Sequence, residues 1–461
     1  MKTSRLIGVV VLLVVIGALA LPISNLIVGL PGSNSLINFK PSDPLFAEAA
    51  AILGKKCVNC HTEEYVLPFY ARFPIARGII EKDIKDGLRY INYKEALVLP
   101  EGQPASEVVL AKTEYVLEYN TMPPLRYAAL HWEGKLSRAE KGTVLRWVKE
   151  TRKKHYATPG FPENVQEKAV QPIPVKMDLD PRAVALGDKL YHDKRLSKDN
   201  TIACASCHAL DKGGTDQAQF SKGVGDAMGD INAPTTFNSG FQFMQFWDGR
   251  AANLEEQADG PVNNPIEMAS NWPEAIGKLS QDEALTAEFT AVYPEGYSKE
   301  TITSAIATFE RSLITPNSKF DKYLAGDASA LNATEQRGYQ LFLDLSCATC
   351  HVGKLLGGQS FERMGVKKDY FAARGNVIEA DYGRFKVTKK EDDRFKLKVP
   401  TLRNIALTHP YFHDGTAKTL EDAVKVMAEF QLGKNLTSDE VTALVAFMNT
   451  LTGEYNGKPL Q

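Results

Sequence analysis

Cysteine is scarce in this chain, six residues in 461, and none lies outside three pentapeptides: Cys57-Val-Asn-Cys60-His61, Cys204-Ala-Ser-Cys207-His208 and Cys347-Ala-Thr-Cys350-His351. With 44% hydrophobic residues available to build ordinary cores, tight pairs and no other cysteine exclude a disulfide-stapled scaffold. The pairs stand about 145 residues apart, each with its own His, which excludes a zinc site that gathers four ligands in one place. An excess of charge is also missing. Lys and Arg total 54 against 56 Asp and Glu, a net of −2, so the global balance carries no footprint of nucleic-acid binding and no strongly charged docking face.

What remains is a specific chemistry. On one helical turn, cysteines at i and i+3 share a face and can form thioethers to two haem vinyls, while the following His points its imidazole at the iron. Cys57, Cys60, Cys204, Cys207, Cys347 and Cys350 are therefore the predicted attachment points of three c-type haems. His61, His208 and His351 are the predicted proximal ligands.

The N-terminus carries the only other strong signal of placement. Residues Leu6 to Leu21 contain no polar side chain, and a second apolar run, Leu26 to Leu30, follows Pro22, Ser24 and Asn25. The 25-residue span from Leu6 to Leu30 is long enough for a membrane anchor, whereas Ala18-Leu19-Ala20 reads as a signal-peptidase site. An uncleaved anchor is the favoured expectation. In both readings Lys2 and Arg5 stay inside and the haem domains are exported, to the periplasmic face of the inner membrane or, after cleavage, free in the periplasm.

The length fits roughly three domains, one per haem. A Gly-, Pro-, Ser- and Asn-rich tether over residues 32–45, a Pro-rich linker over 157–176 and a boundary near residue 330 divide the chain into an anchor at 1–31, a first haem domain at 32–165, a second at 166–330 and a third at 331–461. Gly187-Asp-Lys-Leu190-Tyr191 and Gly338-Tyr-Gln-Leu341-Phe342 precede the second and third motifs, which predicts related helices leading into both. Ser137-Arg-Ala-Glu140 and Thr437-Ser-Asp-Glu440 are capping boxes, each opening a segment with apolar residues at helical spacing. Residues 212–272 hold many Gly, Asn and Pro and no sustained period, so long loops with short helices are expected there. The predicted fold is mainly α, three cytochrome c-like domains in tandem behind a transmembrane segment.

The sixth ligand decides whether an iron carries electrons or does chemistry, because a Met thioether opposite His raises the potential and closes the iron. Met122, in Thr-Met-Pro-Pro, is held on a loop by the prolines after it and is the candidate for the first haem, with His131 its rival. Met427, on a helix expected from about Leu420 to Gln431 and ended by Gly433, is the candidate for the third. It also falls on an apolar stripe with Ala423, Val424 and Phe430, a pattern more typical of core packing.

Between the second and third motifs stand Asn232-Ala-Pro-Thr, Gln245-Phe-Trp-Asp-Gly-Arg250-Ala, Gln257-Ala-Asp-Gly-Pro, Asn264-Pro-Ile-Glu267-Met and Leu402-Arg-Asn-Ile-Ala-Leu-Thr408-His-Pro410-Tyr-Phe-His413-Asp-Gly415. Over residues 165–455 these resemble the bacterial dihaem cytochrome c peroxidase family. The extra haem motif and apolar N-terminus make the whole chain similar to its tri-haem branch, described as quinol peroxidases. The resemblance implies that His208 serves the peroxidatic haem, with Glu267 as acid/base catalyst and Gln257 beside the distal face. It makes His351 and Met427 the axial pair of the electron-transfer haem, Trp247 an electron route between the two, and Asn232 with the carbonyls of Thr408 and Pro410 a calcium site. Three neutral ligands predict a calcium shell completed largely by water. Moving a proton between the two peroxide oxygens suits a positioned carboxylate such as Glu267.

The implied partners are hydrogen peroxide, a membrane quinol or a cytochrome c as donor, and, as in the dihaem relatives, a second copy in a homodimer. One departure stands out: many relatives close the peroxidatic iron with a His about sixteen residues after the proximal His, where this chain has Val224. An iron open without reductive activation is expected, Met228 being the one nearby residue able to close it. Two other functions compete, an electron-transfer cytochrome without peroxidase activity and a protein-oxidising relative of the amine-cofactor maturation type. In that last branch a Tyr replaces the Met that stands here at 427.

Overall fold

The computed structural model describes residue 15 and residues 19–30 and 32–461. It divides into two compact units, Met1–Tyr156 and Ala157–Gln461. Helices and 3-10 turns carry nearly all the regular structure, as the capping signals predict.

In the first unit the main helices are α1 (Pro44–Lys56), α2 (Pro74–Tyr90), α3 (Glu107–Glu118) and α4 (Arg138–His155). Asp43 caps α1 by accepting from the Leu45 and Phe46 amides, with Pro44 at the first turn, where its missing N–H costs nothing. The Ser137–Glu140 box at α4 forms with both reciprocal bonds. Helices α1 and α4 cross with Phe46 stacked on Trp147 at 5.2 Å, over a core that includes Leu53, Val58, Leu110, Val144 and Val148. Buried Arg152 of α4 ties down α3 through Glu114.

The expected membrane anchor is overturned. Residues 1–14, 16–18 and 31 lie outside the described residues, and among the described residues no helix is long and apolar enough to cross a membrane. A helix runs through the described residues 19–28. Its Asn25 is buried and donates Nδ2 to the Leu130 carbonyl at 2.8 Å. A polar side chain that breaks the apolar run thus serves a tertiary contact, and the membrane-face location falls with the span.

The second unit is built from α5 (Pro181–Tyr191), α6 (Leu254–Asn263), α7 (Lys299–Ser312), α8 (Ala333–Asp344), α9 (Leu420–Met427) and α10 (Ser438–Asn449). Two antiparallel ladders are small: β1 (Phe361–Arg363) with β2 (Lys396–Lys398), and β3 (Glu454–Tyr455) with β4 (Lys458–Pro459). The paired Gly-x-x-Leu-aromatic segments have one structural meaning. A Cβ on Gly187 would stand 2.0 Å from the Ala305 carbonyl oxygen and 2.7 Å from Phe309 Cβ, and on Gly338 1.9 Å from the Ala443 oxygen and 2.8 Å from Phe447 Cβ. Only glycine lets α5 meet α7, and α8 meet α10, at this distance. Each crossing anchors its own core, one around Leu190, Phe289, Ile306 and Phe309, the other around Phe320, Phe342, Leu444 and Phe447.

Residues 212–272 are turns and short 3-10 pieces until α6, as expected. The predicted Leu420–Gln431 helix changes form midway: α9 ends at Met427, a π-helical turn follows over Ala428–Leu432, and Gly433 caps it at φ 67°.

Candidate functional site

Each Cys-x-x-Cys-His segment contains one helical turn, Val58–His61, Cys204–Cys207 and Cys347–Thr349. The six thiols form no disulfide. Burial pushes Cys57 and Cys347 up to about 12 and Cys60 up to about 11, so these thiols sit protonated in apolar slots. Such slots fit the apolar vinyl edge of a haem and do not fit a cation.

The imidazoles fit the iron. His61 Nδ1 lies 3.1 Å from both the Gly87 and Ile91 carbonyls, and His351 Nδ1 2.9 Å from the Leu356 carbonyl. Those acceptors hold the proton on Nδ1 and leave Nε2 as the ligating lone pair. Burial lowers His61 below its usual value and takes His351 to about 4, so both rings stay neutral. A Cβ at Gly87 would come within 2.3 Å of the Cys60 carbonyl oxygen, which is how α2 reaches the first motif. His208 differs: burial lowers it too, but among the described residues no group stands in hydrogen-bonding geometry to its Nδ1, and Tyr191 Oη donates to its backbone carbonyl at 2.7 Å.

Met122 sits on its loop with 42% of its surface exposed. Its rival His131 is engaged at both nitrogens, Nε2 with Tyr70 Oη at 2.6 Å and Nδ1 with Glu133 Oε1 at 2.8 Å.

Glu267 follows the C-terminus of α6 in a tight turn, where the Asn264 carbonyl accepts from the Glu267 amide at 3.0 Å and from Ala269 at 2.9 Å. The Asn264 side chain donates to Glu267 Oε1 at 2.6 Å. This carboxylate acts electrostatically on Cys204, Cys207 and His208, which sets it beside the second motif. Gln257, half-buried on α6, precedes Asn264 by seven residues and so shares its face. A ribbon over 221–229 closes onto this turn: Gly229 N donates to Ser221 O at 2.9 Å and Val224 N to the Glu267 carbonyl at 2.8 Å. A Cβ at Gly223 would stand 2.1 Å from the Ile266 oxygen, so glycine permits the approach. Val224 is half-buried here, and Met228 is 54% exposed.

Trp247 and Met427 meet in one cluster with Met364, Tyr370, Phe371 and Leu397. Trp247 Nε1 donates to the Asn232 carbonyl at 2.9 Å, and its ring meets His413 edge-on at 6.2 Å. Asn232 Nδ2 donates to Ala218 O at 2.9 Å, leaving its Oδ1 as an acceptor. The carbonyls of Thr408 and Pro410 accept no hydrogen bond among the described residues. Beneath Trp247, His413 Nε2 lies 2.7 Å from Asp381 Oδ1, and Arg374 bridges Asp381 and Asp414. Asp381, His413 and Asp414 cluster closely enough for a cation, but the Arg374 guanidinium supplies the positive charge.

A helical chain whose Cys-x-x-Cys-His turns pair buried thiols with neutral imidazoles is a c-type haem protein. Family models agree along its length: a haem-binding domain matches residues 30–150, di-haem cytochrome c peroxidase residues 181–329, and cytochrome c residues 335–452. The chain is 51% identical over 403 residues to cytochrome c peroxidase Ccp of Escherichia coli (strain K12), covering 87% of this chain and 86% of that protein. It is 46% identical over 286 residues to cytochrome c551 peroxidase of Nitrosomonas europaea, covering 62% and 84%. Among solved structures, a MauG-like protein associated with microbial copper homeostasis aligns with a TM-score of 0.56 at 30% identity, over 64% of this chain and 96% of that one. The chain belongs to the di-haem cytochrome c peroxidase family.

Several residues at these sites carry no sequence signal of their own. Asn264 is visible in its motif, but its amide grip on Glu267 is a product of the turn. The Arg374–Asp381 pair and Lys398, a buried lysine on β2, read in sequence as ordinary charged residues, and the Tyr191 hydroxyl's bond to His208 is not visible in the segment that announces its helix.

Proposed function

We propose that this chain is an exported tri-haem peroxidase, reducing hydrogen peroxide to two waters with two electrons and two protons. Cytochrome c or a quinol is the donor. The observation that carries the reading is Glu267, a carboxylate held by Asn264 beside the Cys204–His208 motif and facing a ribbon that supplies no His. Haem, when bound, would supply the iron at which peroxide is reduced at the second motif and, at the other two motifs, the centres that relay the donor's electrons to it.

The chain's own residues do the rest. His61, His208 and His351 would hold the three irons through Nε2, and Met122 and Met427 would complete the first and third sites for electron transfer. Asn264 occupies Oε1 of Glu267, so the second oxygen is available to take a proton from one peroxide oxygen and return it to the other. Gln257 adds a donor on the same face. Trp247, packed against the Met427 cluster, is the route from the third site to the second. Asn232 Oδ1 with the Thr408 and Pro410 carbonyls offers hard oxygen ligands for calcium at that junction, which would fix the carbonyl to which the Trp247 indole donates.

The test is steady-state peroxide consumption by the haem-loaded protein, with a quinol or a reduced cytochrome c as sole donor, in wild type and Glu267→Gln. Loss of about 10²–10⁴-fold in turnover, the usual range for a general acid–base, with all three haems retained supports the assignment; unchanged turnover defeats it. The ferric protein should show a strong high-spin signal before any reductant is added, and purely low-spin spectra would defeat the open-site reading.

A further inference from the structure

Lys398 closes strand β2 with 5% of its surface exposed. Its Nζ donates to Gln242 Oε1, a neutral acceptor. Among the described residues, Lys398 forms no ion pair; the Asp248 carboxylate acts on it from beyond ion-pairing distance and is itself bound to Arg250. Burial has driven the lysine down to about 7. An ammonium removed from water without an anion is costly, and chains retain one where a counter-charge completes the site.

The surroundings say which counter-charge. The Lys398 amide donates to the Trp247 carbonyl at 2.8 Å, Val399 N to Ser360 O at 2.9 Å, and Gly358 N to Val399 O at 2.7 Å. This backbone ladder runs two residues from Leu356, whose carbonyl fixes His351. On the other side, Leu397 packs into the cluster that holds Met427 and Trp247. The Lys398 backbone therefore runs between the loop that fixes His351 and the cluster that holds Met427 and Trp247, and every haem brings two carboxylates.

We propose that Lys398 is the counter-ion of a carboxylate of the haem attached at Cys347 and Cys350, and that this pairing raises the potential of that haem. A reduced haem carries one more negative charge than an oxidised one, so a fixed cation at its edge favours the reduced state. Gln242 orients the ammonium and adds no charge. The inference needs haem at the third motif and is independent of peroxide chemistry at the second.

The test is a spectroelectrochemical titration of the full-length, haem-loaded protein, with Met427→His identifying the step that belongs to the third haem. Lys398→Gln should lower the ratio of reduced to oxidised third haem about tenfold at a fixed potential, which is 59 mV for one electron. Lys398→Arg keeps the charge and should retain the wild-type step. Gln242→Glu leaves the lysine in place but offers it a protein carboxylate, and should lower the same step; it decides the matter if Lys398→Gln does not accumulate. With haem content intact, an unmoved third step in Lys398→Gln and Gln242→Glu overturns the proposal, as does a shift confined to the haem at Cys204 and Cys207. Failure of the peroxidase reading would show separately, as absent peroxide consumption by protein whose potentials shift as stated.

Discussion

Gly338→Ala replaces a hydrogen with a methyl group at a close helix crossing in the second unit. The new Cβ would stand 1.9 Å from the Ala443 oxygen and 2.8 Å from Phe447 Cβ, where non-bonded heavy atoms rest near about 3.5 Å. Ala443 and Phe447 are 1% and 0% exposed, so no flexible side chain can swing aside and α8 must move off α10 by more than about 1 Å. Overpacking of this kind costs about 1–3 kcal/mol and at times more, and the better helix propensity of alanine returns about 1. The 1.9 Å approach to buried backbone puts the cost at the upper end of that range, so a net loss of about 2 kcal/mol follows, or roughly 4–8 °C in the melting temperature. Gly277, in the helix Trp272–Leu279, is the control: nothing lies within 4 Å of its added Cβ, so Gly277→Ala should stabilise by about 0.8–1.0 kcal/mol. Calorimetry of the haem-loaded variants reads both signs. A Gly338→Ala protein that melts at or above wild type would refute the close-crossing argument.

Three further outcomes can be checked. Glu310 is buried with Oε2 unpartnered; burial lifts it to about 8, with Arg311 opposing and Glu255 adding. Its folded value lies above the unfolded one of about 4.3, so its contribution is present below pH 4 and is lost as pH rises through about 8. Glu310→Gln should therefore gain on wild type in urea melts between pH 5 and 8, and parallel pH profiles would refute this. At Asp381, burial favours the neutral acid, but His413, Arg374 and the Ile378 amide win and hold it at about 2. Asp381→Asn should cost about 3–5 kcal/mol at pH 7 by removing one of the two carboxylates that balance the largely buried Arg374 guanidinium, the deficit shrinking as acid approaches pH 2; a loss under about 1 kcal/mol at pH 7 would refute it. Asn264→Ala removes a hydrogen bond to a charged group, worth about 1.5–3 kcal/mol. Peroxide turnover should fall about ten- to hundredfold with the haem spectra unchanged, and wild-type turnover would show the grip to be idle.

Local rules carried far here because several depend on a few adjacent residues. Cys-x-x-Cys-His specifies its own helical turn, Ser137–Glu140 and Thr437–Glu440 cap the helices they announce, and Gly187 and Gly338 mark where helices meet. The N-terminal expectation failed for the opposite reason. Hydropathy summed over Leu6 to Leu30 treats Asn25 as a minor interruption, whereas in the fold that amide is buried on the Leu130 carbonyl. His131 illustrates the same limit: the chain shows a histidine near the first motif, and only Tyr70 and Glu133, distant or adjacent in sequence, show that both nitrogens are taken.

The sequence by itself determined the c-type haem chemistry and the mainly helical fold, because each is written in spacings of three to seven residues, and it nominated the residues proposed to ligate or shuttle protons. The tertiary structure alone decided that the 221–229 ribbon closes on the Glu267 carbonyl, that Trp247 and Met427 share a cluster, and that Lys398 is buried on Gln242 with no ion pair among the described residues. These depend on loops that meet across 20 to more than 150 positions, where position in the sequence no longer constrains distance and packing does.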